Sequence, residues 1–587
     1  MQLQHCLFYG MDTKARSMHV ARIARDYKGK TYVTYLLRHS FREGARVKHE
    51  TLANLSHLPE QVIDLIRRSL QGEVFAPAKE MFHVTASKPH GHVWAVLGTI
   101  RRIGLDELIA AKPCRERDLV VAMIAERLLF PCSKLATTRH WLSTTLAEEM
   151  GVADAKAEEL YRTMDWLLKR QAAIENKLAQ RHLTERGLVL YDVSSSFYEG
   201  HTCPLAKHGH DRDGKKGLPI IVYGLLTDGA GRPVAVDVYA GNTADPKTVP
   251  DQVDKLRQRF GLKRVVLAGD RGMLTETQIE HLREHPGLGW ISALRSHAIR
   301  KLIDAGPLDR SLFDEVNLAE IVTPDYPGER LVACYNPLLA EQRQRKRQEL
   351  LAKTEEKLTA LTQEVVRRTK KPLTQVEIAL KAGAWIKRWK MAKHFQLQIA
   401  DGVFTWTRRA DAIRQEEQLD GIYVIRTSEP KQRLSAADSV RSYKRLAQVE
   451  RAFRSLKGVD LMVRPIFHRV EPRVRAHILL CMLAYYVEWH LRSAWASLLF
   501  ADEELEDDRD QRDPVNPAQC SDSAQAKKKT RVNAGGQTVH SFRTLLAELA
   551  TQCRNTCTVT LEGTSSHFTQ LTDARPLQAE AFRLLNV

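Results

Sequence analysis

Three carboxylates stand apart from the other acids of the sequence because of where they sit. Asp192 lies in the middle of an apolar, β-branched run, VLYDVSSS, where a charge costs free energy unless it has a partner. Asp270 closes a second such run, LAGDRGM, and strand ends of α/β sheets are where functional groups are displayed. Glu450 sits in VERAFRSLKG, inside a run of lysines and arginines between Ser435 and Arg475. Three carboxylates that converge can hold two divalent cations about 4 Å apart, which activates an attacking oxygen and steadies a leaving one. The basic surround is where nucleic-acid phosphates would lie. The competing reading of Glu450 is a plain helix pair with Arg454, worth a few tenths of a kcal/mol.

Those acids need elements to position them. Ser435 with Asp438 predicts a capped helix start and Gly458 its stop, with six turns between. Setting Tyr443 at zero and stepping 100° per residue puts Arg454 at about 20°, Glu450 at about 340° and Lys457 at about 320°. Leu446, Val449, Phe453 and Leu456 form the adjoining apolar face that docks on a sheet. Strands are predicted at 187–197, 219–228 and 233–241, with Asp228-Gly229 and Gly231 in the last turn. Helices at 248–261 and 275–285 then alternate with strands at 264–270 and 289–295. Three successive strands followed by helix–strand alternation predict a mixed sheet with flanking helices, the order of an RNase H-like domain. In such a sheet the first and fourth strands are neighbours, so Asp192 meets Asp270 and the late helix carries Glu450 over both.

A chain of 587 residues exceeds one hydrophobic core and predicts three to five domains. Residues 1–112 read as a mixed α/β region with short strands and a helix at 58–70. Residues 113–185 read as helical; within them TLAEEMGVADAKAEELYR (145–162) resembles a helix-turn-helix, with Lys156, Tyr161 and Arg162 on its second helix as DNA-contact candidates. The sheet domain occupies 186–299 and resumes at 431–500. Residues 300–430 interrupt it as an insertion, with a long basic helix at 341–368 whose Leu351, Leu358, Leu361 and Val365 have heptad-like spacing. Strand-like pieces follow at 403–407 and 421–427. Residues 501–587 read as a flexible linker and tail, because the first part is acidic, then basic, and nearly free of large apolar side chains.

Charge points to the partner. Of a net +18, residues 341–395 hold +9 (15 Lys/Arg against 6 acids) and residues 431–475 hold +8 (12 against 4). Such concentration predicts a polyanion track. MQLQHCLFYGMDTKAR lacks the apolar core of a signal peptide, and HILLCMLAYYVEWHL (477–491) is too short and interrupted to span a bilayer, so it predicts a buried helix. Nine dispersed cysteines suit a reducing cytoplasm. His201, Cys203, His208 and His210 match no common zinc spacing. The serines of SSS (194–196) have no His or Asp at a spacing that argues for a hydrolase. Asp237 is a rival ligand whose mid-strand position turns it away, and GAGRP (229–233) is a turn rather than a phosphate loop.

Taken together, YDVSSSF, GNTADPKT (241–248), LAGDRGM and YKRLAQVERAFRSLK (443–457) resemble a DDE transposase of bacterial insertion sequences, in the group with a Y-R-E-K signature on the acidic helix. The resemblance covers roughly residues 110–500. It implies that Asp192, Asp270 and Glu450 are the catalytic triad, binding two Mg2+ or Mn2+ ions, and that 300–430 is the group's insertion. Tyr443, Glu450 and Lys457 match the signature, which implies that Tyr443 and Lys457 hold the DNA phosphate next to the scissile bond. The signature's arginine slot holds Leu446, and Arg445 points well away from Glu450, which makes Arg454 the candidate for that phosphate contact. Arg271, beside Asp270, and Trp406 of the insertion join the DNA-contact candidates, with Trp385 and Trp389 also available to a hairpin step known in several members. The implied activity is cleavage at terminal inverted repeats and strand transfer into target DNA. It would be carried out by a dimer assembled on DNA, in the bacterial cytoplasm at the nucleoid. The alternatives are an RNase H-like nuclease without strand transfer and a catalytically silent DNA-binding derivative.

Overall fold

The computed structural model describes residues 18–73, 75, 82–561 and 564–587; the N-terminal stretch weighed above as a signal peptide lies outside them. The chain divides into two compact units, Met1–Ser87 with Asn555–Gln570, and Lys88–Arg554 with Leu571–Val587. In the smaller unit Met18–Tyr27 (β1), Lys30–Glu43 (β2) and Arg46–Asn54 (β3) form an antiparallel sheet, followed by the helix Glu60–Leu70. Phe82–Pro89 (β4) belongs to a second sheet described below.

The larger unit is built on an eight-stranded sheet. Leu188–Phe197 (β5), Ile220–Asp228 (β6) and Pro233–Ala240 (β7) run as an antiparallel meander. Val265–Gly269 (β8) pairs parallel with the other side of β5, and Leu288–Ala293 (β9) parallel with β8. That order is the one expected of an RNase H-like core. The sheet then continues past β9 with Leu318–Ile321 (β10), Arg330–Tyr335 (β11) and Ile422–Thr427 (β14), in the order β10-β11-β14-β9. The insertion is therefore smaller than 300–430. Its two ends are strands of the central sheet, because Leu331, Val332, Ala333, Val424 and Ile425 are buried there.

What stands off the sheet is the helix Pro337–Arg367, the helix Gln375–Trp389 and the hairpin Phe395–Ala400 (β12) and Val403–Arg408 (β13). These have a core of their own, in which Leu351, Leu358, Leu361 and Val365 of the long helix meet Ile378, Ala382, Ile386, Phe395 and Phe404. On the other side of the large unit the helix Glu471–Ala494 is buried along most of its length. It packs on the helices Arg115–Leu129 and Ala157–Leu168 and on β7.

Two readings from sequence are corrected here. In 145–162 the first helical run is only Leu146–Glu149, and Ala157–Leu168 buries Leu160, Met164 and Leu167 in the core. One turn before Gly151 is too short for a helix-turn-helix, although Lys156 and Arg162 do face solvent. Residues 501–587 are not a linker and tail. Val515 is buried, and its carbonyl accepts from Lys444 Nζ at 2.8 Å and Tyr423 Oη at 3.3 Å. Ser521 caps the helix Asp522–Thr530. The helices Phe542–Ala550 and Pro576–Leu585 enter the main core, where Trp495 Nε1 donates to the Ala581 carbonyl at 3.0 Å. Polar caps and two buried valines, Val515 and Val539, hold the segment where hydrophobicity gave no signal. Cys553–Leu561 (β15) and Thr564–Leu571 (β16) complete the three-stranded sheet β16-β15-β4.

Candidate active site

In the parallel β5–β8 register Tyr191 lies opposite Gly269, so Asp192 and Asp270, each the next residue, stand side by side. Asp192 is partly buried and its own carboxylate accepts from the Val193 N–H at 2.7 Å. Burial pushes its proton affinity up, to a pKa of about 7; the charges of Asp270 and Glu450 push the same way, while the Val193 N–H and the Arg212 guanidinium oppose them. Asp270 is exposed at the strand end. It accepts from the Gly272 N–H at 3.1 Å and from Tyr443 Oη at 3.4 Å. That contact, with burial, holds the Tyr443 phenol in its neutral form.

Glu450 comes from above. The segment is not one helix: Ala436–Lys444 and Leu446–Lys457 meet at Arg445, where the N–H bonds fall back to both Arg441 and Ser442. The first piece packs across β8, β9, β10, β11 and β14, and the second lies on β5. The break lets each follow its own part of a twisted sheet. Val449, Phe453 and Leu456 are buried beneath the second piece, with Phe453 edge-on to Tyr223 at 5.8 Å. Glu450 itself is exposed and, among the described residues, makes no ion pair with Arg454 or any other cation. The helix-pair reading is thereby replaced by an unpaired carboxylate whose charge reaches Asp192.

Among the described residues no three His, Cys, Asp or Glu side chains are already gathered at ion-holding distance. The three acids are near enough for their charges to interact without being drawn together. Their chemistry fits a divalent cation all the same: three carboxylates, one recessed, none of which is in an ion pair among the described residues and whose repulsion Arg212 only partly offsets. Asp237 is occupied elsewhere, accepting from Gln252 Nε2 at 2.8 Å and Lys255 Nζ at 2.5 Å.

The other candidates fall in different places. Arg454 and Arg271 face solvent near the triad. Lys457 is held by Asp213 at 2.8 Å, which also takes Arg464 at 2.5 Å. Leu446 is buried, and Arg445 reaches the Gly229 carbonyl at 3.4 Å. Trp406 is half-buried against Phe395, packed on the core of the insertion. Trp385 and Trp389, also half-buried, stack at 5.7 Å with Arg388 near both rings, and Trp389 packs on the same core. Sequence reasoning missed Arg212, Asp213 and Asp245. The signal was there in the alternating charges of DRDG (211–214) and in the Asp of GNTADPKT.

With this geometry in hand, comparison with known proteins adds the following. The profile of the family described as Transposase DDE domain matches residues 192–487. That of the IS1634 family transposase, N-terminal domain, matches residues 20–79. No curated protein matches the chain. Among solved structures, a piggyBac transposase synaptic complex with hairpin DNA is similar at 10% identity, with 78% of this chain and 76% of that chain covered and a TM-score of 0.32.

Proposed function

This chain belongs to the DDE-domain transposases of bacterial insertion sequences, and from that premise we propose that Asp192, Asp270 and Glu450 are its catalytic carboxylates. The family cleaves DNA and transfers strands in a metal-dependent reaction. The observation that carries the assignment is the β5–β8 register, which sets Asp192 beside Asp270, with an unpaired Glu450 close enough to raise the proton affinity of Asp192.

Two Mg2+ or Mn2+ ions held by these three acids would activate the attacking oxygen and take up charge on the leaving one. The protein's own part is positional. Tyr443 steers the Asp270 carboxylate, the Val193 N–H steers that of Asp192, and the apolar face of Leu446–Lys457 fixes Glu450 over both. Arg454 and Arg271, exposed beside the site, are placed to meet DNA phosphates. The basic helices of the insertion supply the track along donor or target DNA, with Lys156 and Arg162 as further solvent-facing contacts. Terminal inverted repeats are the sequences bound, and a dimer on DNA brings two ends together, at the nucleoid in the cytoplasm. Among the described residues no helix is long and apolar enough to cross a membrane.

The test uses end-labelled duplexes carrying the element's terminal repeats, with Mg2+ or Mn2+ and an unlabelled target. Wild-type protein should cut at the repeat boundary and join the new 3′ end to the target. Glu450→Gln should bind the same duplex with little loss and do neither. Cutting by Glu450→Gln at the wild-type rate would remove Glu450 from the triad, and cutting without joining would favour the nuclease reading.

A further inference from the structure

Three carboxylates and a DNA phosphate concentrate negative charge in one place, and beyond the exposed Arg454 the signature positions of the acidic helix offer little to balance it. Leu446 is buried, Arg445 is turned to a carbonyl, and Lys457 is engaged by Asp213. The loop between β5 and β6 offers a cation that neither the family assignment nor the signature names. Arg212 is the neighbour of Asp213, which holds Lys457 Nζ at 2.8 Å on the helix that carries Glu450 and accepts from the Phe197 N–H of the strand that carries Asp192.

Its place is built. Ser195 Oγ donates to the His210 carbonyl at 3.5 Å and the Phe197 N–H donates to Asp213 Oδ2 at 3.1 Å. The loop on both sides of Arg212 is thus tied to the end of β5, the strand that carries Asp192. Lys207 bridges Ile220, and a Cβ on Gly209 would stand 1.9 Å from the Gly241 carbonyl oxygen, so the loop lies against the backbone where GNTADPKT begins. From that motif Asp245 reaches back. Its two oxygens take Arg212 Nη2 at 2.5 and 2.6 Å. The side chain of Arg212 is 20% exposed, and Asp245 uses only one of its three nitrogens. Nε and Nη1 remain for a ligand, and a planar guanidinium so presented matches a phosphate.

We propose that Arg212 contacts the phosphate of the strand being cut, and that Asp245 is the positioning residue that aims it. This rests on the triad assigned above, so the experiment first shows that wild type cuts and Glu450→Gln does not. Against that background, full-length variants are compared on ordinary duplexes and on duplexes with one neutral methylphosphonate beside the cleavage site. Arg212→Ala should slow cutting about 10²-fold on ordinary DNA, the loss typical of one preorganised charge-stabilising donor, with gel-shift affinity and thermal midpoint nearly unchanged. On the methylphosphonate duplex wild type should be slowed similarly, and Arg212→Ala should be no slower than wild type. Arg212→Lys should recover part of the rate. Asp245→Asn should slow cutting less than Arg212→Ala, and add nothing to it in the double variant. Wild-type cutting by Arg212→Ala, or an equal further loss on both duplexes, would overturn the proposal. If Arg212→Ala does not fold, wild-type protein alone decides: indifference to neutralisation of every phosphate flanking the cut would overturn it.

Discussion

The central sheet carries two groups of carboxylates, one at the β5–β8 pair and one at the β7 edge, and the chain treats them in opposite ways. At the edge, Glu175 is fully buried on the helix Gln171–His182 and spends both oxygens, on the Val236 N–H and Gln171 Nε2 and on Arg259 at 2.8 Å, with Lys255 Nζ at 3.7 Å. Asp237 takes the same Lys255 at 2.5 Å. Every charge there has a partner, as buried charges require. At β5–β8, Asp192 and Asp270 lie side by side with Glu450 near, and none of the three is in an ion pair among the described residues. Carboxylates that hold a fold together come with their cations. Carboxylates left without them, and close enough to repel, are kept for a ligand that brings positive charge.

The comparison is broken most severely by removing the cation from the paired group. Lys255→Met leaves Asp237 and part of Glu175 uncompensated and should cost about 3–5 kcal/mol, read as a lower denaturation midpoint, with DNA cutting by the folded fraction unchanged. A midpoint equal to wild type would mean that the edge cluster is not structural.

Acid sharpens it next. His92 is buried and His182 and His490 are partly buried, and all three are held neutral, with pKa values pulled down to about 4 by burial and neighbouring cations or imidazoles. The unfolded chain binds these protons below about 6.5 and the folded chain only near 4, so stability present above pH 6.5 is lost as pH falls towards 4. Thermal unfolding between pH 7.5 and 4.5 should show that decline in wild type and Lys255→Met alike. A decline confined to wild type would place the acid limit in the paired carboxylates instead.

The smallest effect on the fold is expected on the insertion. Arg345 and Lys353 are exposed on its long helix, and Arg345→Ala or Lys353→Ala should change stability by less than about 0.5 kcal/mol. Each should lower the salt dependence of DNA binding by about one phosphate contact, measured by titration at several salt concentrations. An unchanged slope would take the helix off the DNA track.

How far the sequence reached follows from what each signal was. Strands β5 to β9 are long, β-branched runs broken by turn residues, and they were legible together with the acids they present. The break at Arg445 was not, because the apolar period runs on through it and only the sheet beneath dictates two directions. β10 escaped because it has only four residues, one of them Glu320, and β11, six residues long, because it lies in the stretch assigned to the insertion. The helices after residue 540 were read as a tail because a linker-like stretch precedes them. Arg212 and Asp245 lie 33 residues apart, and no local pattern joins them; a close backbone approach at Gly209 does.

The central claim, that the unpaired acids serve the reaction and the paired acids serve the fold, is tested most directly by unfolding Asp192→Asn and Glu175→Gln side by side in chelator. Asp192→Asn relieves repulsion and should melt at or above the wild-type temperature, and should cut no DNA when Mg2+ is restored to both; Glu175→Gln should melt well below it. A fall in Asp192→Asn as large as that in Glu175→Gln would contradict the account, because Asp192 would then be holding the fold together.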